Sequence, residues 1–417
     1  MSKNIASFAR LSFGNVIEWY DFSLYIYFAI FIARDFFPSN DQYVAMLLTF
    51  ATFFLGSVVR PVGGFIGGVL ADKYHPKRMI NISVILMGLS TILVAALPSY
   101  SSIGILAPLF LVALRIIQGL AVGGQFPGLI SLSVQDYNKN KGFTVGVMFS
   151  ISSLGFLLAS LAGLASTNYF TDETSQLVWR VPFALSGVLF MLYIYLNRNE
   201  SYDYTQVVKK DNTLLPGLLK QYKAIIAVVC LTTMAASLYY IVFTYLINYQ
   251  VTELGVAENS AFLINSLTLV IACALYPLFG YFADIIGAKK LFYIAGILFF
   301  ISSIPLISLI QSENPIWIFI AIVIFTALMA AIQGAISPLF AEVFEPQWRT
   351  TGCALSYSIG NGLSGAAPLV ALTMVHYNPV YGLSACVMLL LLIGTVGFAL
   401  IRQVKHEKQV LAYPVTV

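Results

Sequence analysis

Long apolar runs, separated by short polar or Gly/Pro-rich breaks, follow one another along the whole chain. Each run has about 20 residues or more, the length that an α-helix needs to cross the hydrocarbon core of a membrane. The pattern predicts twelve transmembrane helices, at residues 12–36, 43–70, 79–98, 103–130, 143–167, 178–197, 223–251, 259–282, 290–311, 315–340, 351–375 and 379–402. A transmembrane β-barrel is disfavoured, because its strands alternate over only about ten residues. An all-α integral membrane protein is expected.

One polar connection is longer than the others and falls at the midpoint of the chain. Residues 198–222 read RNESYDYTQVVKKDNTLLPGLLKQY, with charges of both signs. We interpret this segment as a cytoplasmic linker between an N-terminal six-helix bundle (1–197) and a C-terminal six-helix bundle with a short cytoplasmic tail (223–417).

The composition supports a membrane protein and excludes several other classes. Hydrophobic residues make up 59% of the chain and charged residues 10%, against about 45–50% and 25% in soluble domains. A soluble enzyme, a nucleic-acid binder and a secreted disulfide scaffold are therefore nearly excluded. The four cysteines lie singly in apolar runs, without metal-ligand or redox spacing. No catalytic residues, metal site or cofactor are expected.

The basic residues indicate the orientation in the membrane. With the N-terminus inside, 18 of the 22 lysines and arginines fall in cytoplasmic segments, two fall on the opposite side and two lie within spans. This is a strong positive-inside pattern. We expect a multi-pass protein of the cell (inner) membrane with both termini in the cytoplasm. The basic excess is thus explained by the lipid bilayer and not by nucleic acid.

A repeated motif indicates that the two halves are duplicated. GVLAD at 68–72 is followed by Lys77 and Arg78, and GYFAD at 280–284 is followed by Lys289. Corresponding positions are 212 residues apart. Parallel duplicated halves of this kind are typical of transporters in which two bundles rock about a central site.

These motifs resemble those of the major facilitator superfamily, and more narrowly the metabolite:proton symporter family. That family carries osmolytes such as proline and betaine, or 2-oxoglutarate, citrate or shikimate. The resemblance spans residues 12–402 and implies twelve helices in two pseudo-symmetric six-helix bundles. It rests on the stretches GNVIEWYDFSLY (14–25), RPVGGFIGG (60–68), GGVLADKYHPKR, RIIQGLAVGGQ (115–125), GYFADIIGAKK and AEVFEPQWRTTGCALSYSIGNGLSGAAP (341–368).

The chain departs from the family pattern at two places. Gln125 stands where the family usually has Glu, which puts proton coupling through that helix in doubt. His75 and Pro76 stand where Gly-Arg is usual in the first loop motif, which weakens the expected latch without removing its charged residues.

Two acids within the first predicted span are candidates for proton coupling. Ionisable groups inside a membrane span are costly and by default functional. Glu18 and Asp21 are three residues apart, so they lie on one helical face. Two neighbouring carboxylates favour protonation of one another, as a proton carrier requires. The alternative is that one pairs structurally with an arginine while the other lies near the cytoplasmic interface.

The fourth span carries a cation in line with two amides. Arg115, Gln118 and Gln125 fall within about 80° on a helical wheel. A guanidinium binds a carboxylate in a bidentate manner, so these residues suit a carboxylate substrate. An intramembrane pair between Arg115 and Asp21 or Glu18 is an equally weighted alternative.

The second half offers neutral candidates for the opposite wall of the site. Aromatic faces attract quaternary ammonium groups by cation–π interaction, although such residues are more often packing. With Tyr25 of the first span, the additional substrate-binding candidates are Tyr240, Phe243, Gln333 and Asn361.

Charged residues at the span ends are predicted to act as a conformational latch. Asp72 and Asp284 lie beside basic clusters, where they pair with them or cap helix ends; setting topology is the alternative. Arg60, next to Pro61 and a glycine-rich run, is assigned a packing or gating role, with substrate binding as the alternative. The predicted latch residues are Asp72, Lys77, Arg78, Asp284, Lys289 and Arg60.

The sequence therefore predicts a secondary active transporter and not an enzyme. It would move a small organic acid or zwitterion by alternating access, as a monomer driven by the proton gradient. An uncoupled facilitator or exporter is the alternative, and Gln125 favours it. A membrane sensor that has lost transport is more distant, because the chain shows no sizeable soluble domain or signalling tail.

Overall fold

The computed structural model describes residues 2–64, 66, 76–122, 140–169, 177–197, 217–218, 220–312, 314–345 and 349–412. Side chains are described in those ranges except at 2–12, 76–84, 350 and 405–412. Predicted residues Asp72 and Gln125 lie outside the described residues, as does most of the proposed central linker. The side chains of Lys77 and Arg78 also lie outside them.

Each of the twelve predicted spans contains a helix, and every regular element of the described residues is helical. In the first six spans the helices are Ser2–Tyr27 with Ala29–Phe36, Gln42–Val58, Pro76–Ala96, Leu106–Ala121, Lys141–Tyr169 and Leu177–Asn197. The short helix Tyr100–Ile103 precedes the fourth span. In the last six spans they are Tyr222–Tyr240 with Leu246–Thr252, Glu258–Ile286, Ala288–Ile310, Pro315–Ile336 with Leu339–Glu342, Arg349–Ser364 with Ala367–Tyr377, and Pro379–Ala412.

Most of these helices are long and apolar enough to cross a bilayer. Nine satisfy that test within the described residues, and the bent first span makes ten. The third and fourth spans contain the shorter apolar helices Ile85–Ala96 and Leu106–Ala121, and each adjoins residues outside the described set. Large apolar side chains are exposed along many helices, including Leu89, Ile301 and Val396. Such a surface is stable only against lipid.

Three spans depart from regular α-helix, which the apolar pattern does not predict. The first span bends by 58° at Phe28. The seventh contains a five-residue π-helix, Ile241–Tyr245, between its two α-helices. The eleventh is interrupted between Ser364 and Ala367. Because π-helical turns and helix breaks often mark functional sites, these positions matter for the site below.

Glycines bring helices of the two halves into close contact. A methyl group on Gly142 of the fifth span would lie 2.3 Å from the Gly280 carbonyl oxygen of the eighth. A methyl on Gly280 would in turn lie 2.2 Å from the Gly142 oxygen. Both positions therefore need glycine, since small residues allow membrane helices to approach this closely.

Candidate functional site

Asp21 is buried in the first span and held by hydroxyl groups. The Thr91 hydroxyl lies 2.6 Å from Asp21 Oδ1 and the Ser186 hydroxyl 3.2 Å from the same oxygen. Asp21 is 1% exposed, and its Oδ2 has no hydrogen-bond partner in the described part of the chain. One oxygen is thus satisfied by neighbouring spans while the other is available to a proton or a ligand.

Arg115 is linked to Asp21 through two intervening side chains. Its guanidinium donates to Gln118 Oε1 at 2.9 Å, and Gln118 Nε2 donates to the Thr91 hydroxyl at 2.8 Å. The guanidinium also lies 4.3 Å from the centre of the Tyr25 ring. Ion pairs within the described residues join Lys141 to Glu342 and Arg180 to Asp35, and none joins Arg115 to Asp21. Thr91 and Gln118 therefore form a relay of neutral hydrogen-bonding groups between the Asp21 carboxylate and the Arg115 guanidinium.

Glu18 occupies a neighbouring position on the same span. It is 7% exposed, and its Oε2 has no hydrogen-bond partner among the described residues. Two charged groups act on Glu18 electrostatically: Arg60 attracts its carboxylate and Asp21 repels it. No ion-pair distance joins Glu18 to Arg60 in the part of the chain that the structure describes. The carboxylates predicted to share a helical face are thus both buried, each without direct salt-bridge compensation.

Arg60 connects the first six helices to the last six at the centre of the molecule. Its guanidinium donates to Asn361 Oδ1 at 3.1 Å and lies 4.0 Å from the centre of the Phe22 ring. The Tyr240 hydroxyl donates to the same asparagine oxygen at 2.9 Å. One neutral oxygen from the eleventh span therefore accepts hydrogen bonds from the second and seventh spans.

A central cavity lies between the two sets of helices. The space open to the centre of a water-sized sphere is about 40 Å³, enough for two or three water molecules and too small for an organic metabolite. Aromatic rings dominate its wall, and hydroxyls and amides supply the polar groups. The lining residues are Trp19, Phe149, Ser152, Ser153, Phe156, Thr232, Ala235, Ala236, Tyr239, Tyr240, Tyr276, Gln333, Phe340, Tyr357 and Asn361.

The structure brings together only some of the predicted substrate-binding residues. Tyr240, Gln333 and Asn361 line the cavity. Four others are buried but absent from the described lining, namely Arg115, Gln118, Tyr25 and Phe243. Arg115 and Gln118 belong to the relay that leads to Asp21, and their contact with substrate stays a prediction.

At one end of the bundle, polar contacts join the fifth span to the eighth and tenth. Lys141 Nζ lies 2.8 Å from Glu342 Oε1. The Asp284 carboxylate accepts hydrogen bonds from the Gly142 and Phe143 backbone N–H groups at 2.8 and 2.9 Å. Asp284 therefore caps the N-terminus of the fifth-span helix, where a negative charge is favoured. Predicted latch residue Lys289 is exposed.

At the opposite end, the contacts between the two halves are neutral. Asn248 Nδ2 donates to the Ile26 carbonyl oxygen at 2.9 Å, and Asn265 Nδ2 donates to the Tyr27 hydroxyl at 3.2 Å. The Tyr43 and His376 rings lie 4.3 Å apart, with an angle of 30° between their planes. Contacts between the described residues therefore bridge the halves at both ends.

Several residues of the site carry no sequence signal that singles them out. Thr91 and Ser186 are ordinary small polar residues of apolar runs, and only the packing of three spans brings them to Asp21. Lys141 and Glu342 lie 201 residues apart, so no local pattern pairs them. For Thr91 and Ser186, the best available indication in the sequence is a hydroxyl-bearing residue within a predicted span that also carries small residues.

The chain matches the family description Major Facilitator Superfamily over residues 11–368 and 227–412. It is 31% identical to the shikimate transporter of Escherichia coli (strain K12), covering 87% of this chain and 86% of that protein. It is also 31% identical to the alpha-ketoglutarate permease of the same strain, covering 89% and 88%. Identity to the glycine betaine/proline/ectoine/pipecolic acid transporter OusA of Dickeya dadantii (strain 3937) is 29%, covering 91% and 80%.

Solved structures agree on the fold. A crystal structure of a D-xylose-proton symporter superposes with a TM-score of 0.73 at 18% identity, covering 93% of this chain and 96% of that one. A partially occluded inward-open form of the xylose transporter XylE from E. coli gives 0.69 at 16% identity, covering 94% and 95%. These matches confirm the predicted fold class and the family resemblance.

Proposed function

This chain belongs to the Major Facilitator Superfamily and is a multi-pass transporter of small metabolites, not an enzyme; on that premise we propose that it is a proton-coupled symporter. Its substrate is a small organic acid or zwitterion, carried by alternating access between two six-helix bundles, 1–197 and 223–417, that are joined by the linker 198–222. The relatives named above carry substrates of these two chemical classes.

The observation that carries the proposal is the pair of buried carboxylates, Glu18 and Asp21. Each has one oxygen without a hydrogen-bond partner in the described residues, and neither forms a direct ion pair there. A charged carboxylate in this environment is expensive, whereas its protonated form is not. Binding and release of a proton at this pair would therefore alter the energy of the closed state, as coupling requires.

The relay that starts at Asp21 would transmit the effect of its protonation to neighbouring spans. Thr91 and Gln118 join Asp21 to Arg115 without direct contact between the two charges. In our proposal, deprotonation of Asp21 strengthens its attraction to Arg115 and shifts the packing of the first span against the third and fourth. Gln125, which lies outside the described residues, is retained as a substrate-binding candidate.

The contacts at the two ends act as gates in this proposal. Lys141, Glu342 and Asp284 hold the end that we assign to the cytoplasm, following the distribution of basic residues. Asp72, Lys77, Arg78 and Lys289 complete the latch on the same side. The protein works as a monomer in the inner membrane, since each chain contains both bundles and the cavity between them.

Reconstitution into proteoliposomes tests the proposal. Uptake of radiolabelled shikimate, 2-oxoglutarate, L-proline and glycine betaine is measured with the membrane potential clamped at zero. An acidic exterior, one pH unit below the interior, should drive accumulation of about tenfold for each proton carried. Entry that ends at equal concentrations, with or without the pH difference, would contradict symport.

An uncoupled facilitator or exporter is the second candidate, and Gln125 is the observation that favours it. The family usually carries Glu at this position, so a coupling carboxylate is absent there. If Gln125 has removed coupling, Gln125→Glu should introduce pH-gradient dependence that the parent protein lacks. Under symport through Asp21 and Glu18, the parent protein already shows that dependence and the variant preserves it.

A further inference from the structure

Arg60 is a buried cation whose described hydrogen-bond and ring partners are neutral groups. It is 6% exposed, its guanidinium donates to the Asn361 amide oxygen and lies over the Phe22 ring, and the nearby Glu18 carboxylate attracts it without forming an ion pair in the described residues. Its Nε has no hydrogen-bond partner among the described residues. A guanidinium offers five N–H donors in a fork that fits a carboxylate. At least one donor of Arg60, the Nε–H group, is therefore available to a ligand.

The groups that hold Arg60 also separate it from the cavity. Asn361 and Tyr240 both line the central cavity, and both contact Arg60 or share its acceptor oxygen. A carboxylate arriving in the cavity could take the place of the Asn361 oxygen. It would then accept charge-assisted hydrogen bonds, which are about twice as strong as neutral ones.

Both partner residues lie next to irregular backbone, where side chains can be repositioned. Tyr240 immediately precedes the π-helix Ile241–Tyr245, and Asn361 lies one turn before the interruption of the eleventh span. The Ser364 hydroxyl donates to the Asn361 carbonyl oxygen at 2.6 Å, at the end of that helix. A substrate carboxylate could therefore replace the Asn361 oxygen at Arg60 without unwinding a regular helix.

The remainder of the cavity limits what the substrate can carry besides one carboxylate. None of the lining residues in the described part of the chain is Lys, Arg or His. The Phe156 ring centre lies 5.5 Å from that of Trp19 and 4.7 Å from that of Tyr239. Such faces attract an ammonium group, whereas a second carboxylate there would be buried without a partner.

We propose that Arg60 binds the substrate carboxylate, and that the Asn361 oxygen, which also accepts from Tyr240, stands in for that carboxylate in this structure. The substrate is then a zwitterion, with one carboxylate at Arg60 and an alkylated ammonium against the aromatic rings. This rests on the proposed function in so far as the central cavity is the transport site. The carboxylate position moves from Arg115, the candidate favoured by sequence spacing, to Arg60.

Equilibrium binding to the purified full-length protein tests the assignment without any gradient. Glycine betaine, L-proline, choline, shikimate and 2-oxoglutarate are titrated by calorimetry. A zwitterion should bind most tightly, and choline, which lacks the carboxylate, at least about tenfold more weakly. Arg60→Gln should weaken zwitterion binding about 100-fold and Arg60→Lys less. Exposed Arg34 provides the matched control, since Arg34→Gln removes the same charge outside the cavity.

Asn361→Ala keeps the test decisive if Arg60→Gln is poorly folded. Removal of the competing oxygen leaves Arg60 in place, so the variant should bind zwitterions at least as tightly as the parent protein. The assignment is overturned by unchanged binding in folded Arg60→Gln, by more than tenfold loss in Asn361→Ala, by tightest binding of 2-oxoglutarate, or by the absence of zwitterion binding. Arg60-dependent binding without gradient-driven uptake would refute proton coupling alone, and the converse would refute the Arg60 assignment alone.

Discussion

The two halves contribute opposite chemistry to the centre of this molecule. Among the residues whose side chains are described, the buried charged groups are Glu18, Asp21, Arg60 and Arg115, and all four belong to the first six spans. The last six spans supply neutral groups to the cavity wall, mainly aromatic rings with Gln333 and Asn361. In a membrane protein a buried charge is costly. The confinement of these four charged groups to the first six spans therefore indicates that those spans have a function different from that of the last six.

Among the described hydrogen bonds, the one that joins a buried charge of the first half to the second half is made by Arg60. Arg60 donates to Asn361, whereas Asp21 and Arg115 have their described hydrogen-bond partners within the first six spans. Under the proposed function, Asp21 therefore handles its proton away from the cavity wall, whereas Glu18 lies close enough to Arg60 to act on it electrostatically. The following predictions test this division, beginning with the charged half.

Asp21→Asn should produce the largest effect. The amide cannot gain or lose a proton in the working range, so substrate should equilibrate across the membrane without accumulating. The parent protein should accumulate about tenfold per proton for a one-unit pH difference. Uptake and exchange in proteoliposomes measure the two properties separately.

The control for this experiment is Asp41→Asn. Asp41 is exposed and caps the second-span helix by accepting from the Tyr43 N–H group, a role that Asn also fills. Accumulation should therefore persist in the control. Normal accumulation in Asp21→Asn would remove Asp21 from the coupling mechanism.

Thr91→Val should have the next largest effect, on stability. The substitution preserves shape but removes the hydroxyl between Asp21 and Gln118. Loss of a hydrogen bond to a charged group costs about 1.5–3 kcal/mol, so the melting temperature in detergent should fall. Thr326→Val is the matched control, because Thr326 is equally buried but bonds only to the Ile322 carbonyl oxygen within its own helix. Equal shifts in both variants would show that the relay adds no stability.

Asp21 can be identified as a candidate from the sequence, whereas Thr91 cannot. The twelve helices could be predicted, because the membrane imposes one length and one polarity on every span. The burial of Glu18, Asp21, Arg60 and Arg115 followed from the same cost. Thr91 and Ser186 could not be assigned to Asp21, since their proximity depends on how the third and sixth spans pack against the first.

The structure of the neutral half was harder to predict from local patterns. Tyr240, Gln333 and Asn361 are substrate-binding candidates in the sequence because they are uncharged aromatic or amide residues within spans, and the structure places all three in the cavity wall. The π-helix after Tyr240 and the interruption after Ser364 leave no mark in the apolar pattern. The ring lining of the cavity likewise depends on side-chain directions from several helices, which periodicity alone does not give.

Phe156→Leu tests the aromatic wall of the cavity and should have an intermediate effect. Loss of a ring face that contacts a cation costs about 1–2 kcal/mol, or roughly 5–30-fold in the dissociation constant. The measurement is calorimetric titration with whichever of glycine betaine, L-proline, choline, shikimate and 2-oxoglutarate binds the parent protein most tightly. Phe325→Leu removes an equally buried ring that packs on Phe299 away from the cavity, and its affinity should stay within twofold of the parent. Loss of affinity in both variants would assign the effect to general packing.

Glu342→Gln should have the smallest effect, because it alters a charge in contact with water. The Lys141–Glu342 pair is about one-quarter exposed on both sides, and exposed pairs contribute about 0–1 kcal/mol. Opening of this end should therefore increase no more than about fivefold, as measured by the rate at which a thiol reagent labels a cysteine introduced at Ala335, a buried residue at the same end. Exposed Glu253, at the opposite end, supplies the control Glu253→Gln. Since salt screens such a pair, the difference between the variants should vanish at high ionic strength; a difference that survives would mean that Glu342 acts by geometry and not by charge.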